Sequence, residues 1–566
     1  MGFSKPQNTK RFSGTALRAL FIGAFLAAIL LPFSDKAFHM DDPMYIWAAK
    51  HILSDPVNFY GFNVNWFGIE TPMPYAMKNP PLVSYYIAFV ASIFGFGEKA
   101  IHTAMIIPAV AAGTGTFVLA KRLCSMPITA ALICIVTPVF VISSSTVMCD
   151  TLMLALWIWA IILWMEGLDR DSHFLLLAAG LLIAMSALTK YFGISLIPLL
   201  TVYSVFRKKT PVLWVPAMIL PVLVLAGYQI ATETMYGRGL LFDAADYAGN
   251  LRGESGMQYL KNGLNGITFL GGCVITTVLY IPLIWSRRVL FIFLVLTIVA
   301  VILLWISKDA GTVVFASGAG SLDRHLAIEI PVFAAGGAGI LALSVRDLIR
   351  RRDSGSVLIM LWLTGTFVFA GFMNWTTSGR AILPAAPVAG ILIARAMEEN
   401  RALEGGLRNY LRFFPLAAAL LITLITAWAD YGFADSARGA AEQIYSRHSG
   451  RGGVFWFQGH WGFQYYMESL GAKSVDWKRS SISRGEVIAT PLTNTNVQSL
   501  PDSIFTRMEE VESTPSSRFS TVSAEAGAGF YSSNWGPVPY SIGPVFKDRY
   551  MVDSAKTDLD LKSFRE

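Results

Sequence analysis

The sequence predicts an all-α polytopic membrane protein followed by a small C-terminal α/β domain. Three observations lead there. The 566 residues are 54% hydrophobic and only 15% charged, a composition foreign to soluble globular chains. The apolar residues fall into runs of roughly 20, the length that crosses the hydrocarbon of a bilayer. From about residue 431 these runs stop, while Gly, Ser and charged residues rise in a stretch of ordinary domain size.

The first crossing is expected at about 14–33, flanked by Lys5, Lys10, Arg11 and Arg18. Its apolar stretch is long and no small-x-small cleavage site follows, so it reads as an uncleaved helix with a cytoplasmic N-terminus. The next apolar stretch, about 82–97, is short, aromatic and opened by Pro80-Pro81. It is expected to lie along the membrane surface, within a first outer loop of 34–101. Further crossings are expected at about 102–120, 127–144, 151–165, 174–189, 192–206 and 211–230, then at 266–285, 289–306, 326–344, 356–373, 380–396 and 413–430. That gives about thirteen in all. Lys121-Arg122, Arg207-Lys208-Lys209, Arg287-Arg288, Arg346 to Arg352 and Arg395 to Arg412 then all fall on the cytoplasmic side. An odd number of crossings leaves residues 431–566 outside the cell membrane, docked over the outer face of residues 1–430. In that last part Val454–Phe457, Ser474–Asp476 and Glu486–Thr490 read as strands and Gly462–Leu470 as a helix.

Several functions are excluded at this point. The net charge of +7 is ordinary for a chain that keeps its cations in cytoplasmic loops, and no basic, aromatic-interleaved soluble patch exists to hold nucleic acid. Cys124, Cys134, Cys149 and Cys273 lie in or near apolar segments and form no CxxC, so neither a disulfide framework nor a zinc site is indicated.

The same topology sorts the ionisable groups onto one face. Asp41-Asp42 and Lys78 stand in the first loop. Cys149-Asp150, Thr189-Lys190-Tyr191, Arg324-His325 and Ser378-Gly379-Arg380 stand at span ends. A loop of about 231–265 adds Glu233, Arg238, Asp243, Asp246, Arg252 and Glu254. Ionisable groups near membrane depth are costly and mark functional sites. Asp41 and Asp42, with Tyr45 close by, are the base candidates, since neighbouring like charges push two pKa values apart. The bland alternative is helix capping, for which Asp42-Pro43 is good chemistry. Asp150 is a third catalytic candidate or a cap. Lys78, Lys190, Arg324 and Arg380 are candidates for holding phosphate, with snorkelling as the alternative. His325 and Arg238 are further candidates.

Carboxylates and cations gathered on an outer face suit transfer of a sugar from a lipid-linked phosphate. A carboxylate takes the proton of the acceptor hydroxyl, cations hold the phosphate as it leaves, and grooves between helices admit the prenyl chain. A flippase or transporter of lipid-linked sugars would show repeated halves and midplane sites, which are not evident. A lipid-linked glycan polymerase or ligase is the other alternative.

Five local patterns carry a resemblance. They are Asp41-Asp42-Pro43-Met44-Tyr45 after the first span, Lys78-Asn79-Pro80-Pro81-Leu82, Asp150, Leu188-Thr189-Lys190-Tyr191-Phe192-Gly193, and Arg380-Ala381-Ile382-Leu383-Pro384. Together they resemble the bacterial family 39 glycosyltransferases of the GT-C membrane class, which includes protein O-mannosyltransferases and the lipid A aminoarabinose transferase. The resemblance covers about 14–230 well and the rest loosely. It implies a GT-C-like fold in a bacterial inner membrane, with a periplasmic C-terminal domain. It implies inverting transfer from a polyprenyl-phosphate-linked sugar donor to a lipid, glycan or protein acceptor, with an acid of the first-loop pair, Asp41 in particular, near the acceptor. Three positions depart from the family pattern: Asp42 stands for Glu, Asn79 intervenes before Pro80, and Ala381 replaces an aromatic residue. They leave sugar and acceptor unspecified. Some family members bind a divalent metal ion; no recognisable ligand set occurs here, and a metal stays open.

Overall fold

A computed structural model describes residues 8–251, 256–306, 324–399, 412–515, 518–545 and 547–561. Lys5, Arg252, Glu254, Arg401 and Arg408, named above or within the clusters above, lie outside the described residues. Among the described residues eight helices are long and apolar enough to cross a membrane, or nine if the bent pair Pro127–Ile135 and Pro138–Ser144 is one span. One of them, Arg287–Ile306, has no buried residue at all. A helix apolar on every side and unburied is stable only in lipid. The chain is a multi-pass membrane protein.

The difference from the expected thirteen has a physical source. His173–Thr189 and Tyr191–Phe206 are apolar but short. The expected crossing 266–285 is instead a helix Gly256–Cys273 followed by single turns Thr276–Leu279 and Ile281–Ile284, the second opened by Pro282. The expected crossing 380–396 breaks at Pro384 into Gly379–Ile382 and Ala385–Glu399. Proline lacks an amide proton and clashes with the preceding turn, so helices stop or bend there. Pro138 does the same to the third span, which turns by 65° between its two halves. That bend carries Ser145–Cys149 back against the first loop.

The first loop folds into a helix Asp42–Ile52, a hairpin of Asn63–Asn65 with Glu70–Pro72, and the short helix Leu82–Phe94. The expected boundary at 430/431 falls inside one unbroken helix, Phe414–His448, of 35 residues. At 1.5 Å per residue it is about 52 Å long, well beyond a bilayer's hydrocarbon. It therefore runs out of the membrane into the strand-bearing region as one rod.

Beyond that helix, the strands read at Val454–Phe457 and Glu486–Thr490 and the helix read at Gly462–Leu470 are present as Phe455–Phe457, Val487–Pro491 and Trp461–Leu470, while the strand read at Ser474–Asp476 is the two-residue Lys473–Ser474. They form a five-stranded mixed sheet in the order Lys473–Ser474, Phe455–Phe457, Val487–Pro491, Asp548–Ala555, Phe505–Ser513. The first three are parallel, which the crossover helix Trp461–Leu470 makes possible. The hairpin of the first loop is tied to this region. Asn65 Nδ2 donates to Val475 O (2.9 Å), Trp477 N to Gly68 O (2.9 Å) and Glu70 N to Asp476 Oδ2 (3.1 Å).

Candidate active site

Three helix ends place the charged groups. Ser143 to Cys149, turned back by the bend at Pro138, delivers Asp150 to the start of the helix Asp150–Asp169. The helix His173–Thr189 ends where Lys190 becomes extended (φ −151°, ψ 132°), and the lysine amine points to Asp150. Gly193 lets the following turn lie on that helix end, because a Cβ there would sit 2.5 Å from Ala187 N. Ser378 caps the single turn that carries Arg380, accepting from Ala381 N (3.3 Å). This turn is seated on the C-terminal region by Gly379 N donating to Phe530 O (2.6 Å) and Ser533 N to Thr377 O (2.8 Å).

The result is a chain of alternating charge. Arg380 Nη2 donates to Asp41 Oδ2 at 2.8 Å, Arg380 Nη1 stands 4.0 Å from Asp150 Oδ2, and Lys190 Nζ donates to Asp150 Oδ1 at 2.5 Å. Asp150 is 1% exposed and Asp41 35%. Asp150 is thus the buried pivot that aims two cations, and Asp41 is the carboxylate that faces open space. A second knot lies across from it. Lys78 Nζ donates to Asp243 Oδ2 (2.5 Å), and Arg238 pairs with the same carboxylate. Burial, and secondarily Arg238, pull the Lys78 amine down to about 8.

These groups border a cavity of about 570 Å³, a size that suits a small ligand. Asp41, Lys78, Lys190 and Arg380 line it, with Tyr45 and Cys149 between them; Tyr45 OH donates to Cys149 Sγ at 3.1 Å. Ala244, Ala245 and Ala248, on one face of the helix Leu240–Asn250, leave one wall low and apolar. Arg380 Nε, buried, has no partner among the described residues.

Four of the expected site residues, Asp42, Arg324, His325 and Arg238, lie off the cavity. Asp42 is fully buried and does not line the cavity. Its oxygens accept from His39 N (3.0 Å) and Val147 N (2.8 Å), so it joins the first loop to the segment before Asp150. It is not an N-cap either, since neither donor belongs to its own helix. Burial outweighs Lys36 and these two amides and pushes its carboxyl up to about 7. Arg324 and His325 also lie off the cavity. Arg324 stacks on Trp305 (5.6 Å) and His325 Nε2 meets Ala526 O (3.1 Å). Arg238 does not line the cavity; it shares the Asp243 carboxylate with Lys78, which does.

Sequence reasoning missed two features. Tyr531 lines the cavity from the C-terminal region, its ring 5.7 Å beneath the Arg380 guanidinium. Behind it, Asp430 and Lys36 form an ion pair of 2.5 Å with both side chains 0% exposed. Asp430 also accepts from Tyr531 OH and Thr521 Oγ1, both at 2.9 Å. His39 stands 3.8 Å from the same carboxylate, and burial drives its imidazole down to about 3, so it is neutral there. Lys36 follows the first expected span and Asp430 is the last residue of the expected span 413–430, which was the available signal.

No group of three or more His, Cys, Asp or Glu side chains able to hold a metal ion occurs among the described residues. Asp41 and Asp150 are each held by a cation, and this donor set does not fit a divalent metal.

Residues 78–231 match the family described as dolichyl-phosphate-mannose-protein mannosyltransferase. The chain is similar to that family. The matched segment holds Lys78, Asp150 and Lys190, while Asp41 and Arg380 line the cavity from outside it and Arg238 lies just beyond its end. No curated protein is detectably similar in sequence. Among solved structures, the chain resembles the oligosaccharyltransferase of Archaeoglobus fulgidus in its apo form, with 14% identity and a TM-score of 0.46 over 81% of this chain. It spans 64% of that protein's length. It also resembles ArnT from Cupriavidus metallidurans, solved apo and bound to undecaprenyl phosphate. There the identities are 13% and 14%, both TM-scores are 0.41, and the match covers 85% and 84% of this chain and 94% and 93% of that one.

Proposed function

We propose that this protein is an inverting glycosyltransferase that moves a sugar from a polyprenyl-phosphate donor to an acceptor hydroxyl. It would work at the outer face of a bacterial inner membrane, with its N-terminus cytoplasmic and residues 431–566 periplasmic. Residues 1–430 would carry the catalytic groups apart from Tyr531. The observation that carries the reading is the Asp41–Arg380 ion pair at the cavity, backed by Lys190 and Asp150. The family match over 78–231 supports it independently.

In this mechanism Asp41 takes the acceptor proton as the acceptor oxygen bonds to the anomeric carbon. The bond from that carbon to the phosphate oxygen breaks, and prenyl phosphate leaves with the electron pair. Lys190, Arg380 and Lys78 hold the phosphate. The charges fit both ends of the step. Lys78, Lys190, Arg238 and Arg380 against Asp41, Asp150 and Asp243 leave one positive charge, matching a singly charged phosphodiester. When Asp41 is protonated the excess grows by one, as the leaving phosphate monoester becomes dianionic. Protonation also frees Arg380 from Asp41 at the moment the phosphate needs it. The low alanine wall of the cavity gives the prenyl chain a path.

Two results test this. Lys190→Ala and Arg380→Ala are expected to raise the KM for a prenyl-phosphate sugar by roughly tenfold or more, with the acceptor KM little changed. An unchanged donor KM in both variants would reduce the two cations to structural parts. Because the Lys78 amine titrates near 8, its charge is present below that pH and lost above it. Donor KM should therefore climb as pH passes about 8 in the wild type and stay flat in Lys78→Arg. A climb of equal size in Lys78→Arg would remove Lys78 from the phosphate site.

A further inference from the structure

A second hollow, about 870 Å³, lies between the first loop and the strand-bearing region. We infer that this cleft binds a neutral oligosaccharide, the acceptor whose end is presented to Asp41. The inference rests on the proposed transferase reading and specifies its acceptor.

Its walls are aromatic and neutral-polar together. Trp47, Phe62 and Trp456 supply flat apolar faces, and Asn63, Asn65 and Ser481 supply amide and hydroxyl groups between them. Flat rings covering C–H faces, with amides that both donate and accept, suit a polyol. The charge does not favour an anion. Lys50, Arg479 and His51 share the cleft with three carboxylates, Glu70, Glu468 and Asp476, so no positive excess is there to hold a phosphate or acidic glycan.

A peptide is disfavoured by the backbone. Adding a strand needs free main-chain groups. Here Val475 O and Glu70 N are already bonded to Asn65 and Asp476, and Asn65 O accepts from Gln464 Nε2 (3.0 Å). The same bonds hold the two walls in place, so the cleft is formed in advance.

The cleft leads to the cavity. Asn65 lines the cleft and the next residue, Trp66, lines the cavity. The rings of Trp47 and Trp66 meet edge to face at 6.2 Å. Trp47 lies six residues beyond Asp41, so it stands about 9 Å along the helix from the candidate base. That exceeds one sugar ring, which is why the occupant is an oligosaccharide.

The test uses the full chain in lipid nanodiscs, with saturation-transfer NMR on chitotetraose and maltotetraose. Tetragalacturonate and a serine-rich peptide are the comparison ligands. A neutral tetrasaccharide should bind, with affinity falling roughly tenfold in Trp47→Ala and in the exposed-hairpin variant Asn63→Ala, and recovering in Trp47→Phe. Saturation transfer to neither neutral tetrasaccharide would overturn the inference. So would unchanged affinity in both variants, or tighter binding of the acidic sugar or the peptide. No donor is needed in this experiment. Undecaprenyl phosphate titrated into the same samples reads the transferase proposal separately, and its failure to bind would sink that proposal while leaving the cleft result standing.

Discussion

Asp41→Asn is expected to lower sugar transfer by about 10²- to 10⁴-fold, the range that a positioned general base contributes. The amide keeps the shape and removes the proton acceptor. Asp41 is the right group to change because it is the partly exposed acid of the cavity, while Asp150 is sealed behind Lys190 and Arg380. Donor affinity should hold or tighten in this variant, since Arg380 loses the carboxylate that competes with the phosphate. A KM for donor that rises alongside the fall in kcat would show instead that Asp41 chiefly holds Arg380 in position. Asp42→Asn separates the two aspartates. It should reduce folded yield, by placing an amide donor against backbone amides of His39 and Val147, while surviving protein keeps kcat. Normal yield with kcat lost in Asp42→Asn would reassign the base.

Removing one member of the Lys36–Asp430 pair should destabilise the protein by about 3–5 kcal/mol, because the other charge is left buried without a partner. Both side chains are fully buried and 394 residues apart in sequence. Lys36→Met and Asp430→Leu should each lower the unfolding midpoint in nanodiscs, and the double variant should recover part of the loss. Recovery stays incomplete because Tyr531 and Thr521 also lose their acceptor. Activity should fall further than stability explains, since Tyr531 would no longer be held under Arg380. A double variant less stable than either single one would show that the pair is not the unit of the interaction.

The membrane class and the first strands beyond the bundle were legible, because each rests on local pattern. Hydropathy marks a span whatever it packs on, and Asp150 and Lys190 lie at two span ends only forty residues apart. What could not be read depends on direction and distance. Asp41 and Asp42 are adjacent, yet successive positions at a helix start diverge by about 100°, and only packing decides which one faces the cavity. Arg324 and Arg380 open similar Arg-to-Pro patterns, but Arg380 is drawn to Asp41 while Arg324 stacks on Trp305. Lys36 and Asp430 are 394 residues apart, and nothing local in the sequence pairs them. The strands Phe505–Ser513 and Asp548–Ala555 escaped because their residues alternate with charges and belong to a sheet closed by distant pairing. Prolines cut two of the apolar runs read as single crossings into shorter helices and turns, which hydropathy alone does not register.

The Arg380 turn rests on Phe530 and Tyr531, and Lys36 rests on Asp430. Seen along the order of synthesis, the ribosome releases Lys36 first, its counter-charge 394 residues later, and the ring beneath Arg380 a further 101 residues on. A nascent chain already threaded through the membrane thus has its acids and cations but not their final arrangement. The frame of the cavity is therefore completed only once Tyr531 has been made, and a nascent chain stopped short of that residue would hold Arg380 without the ring beneath it.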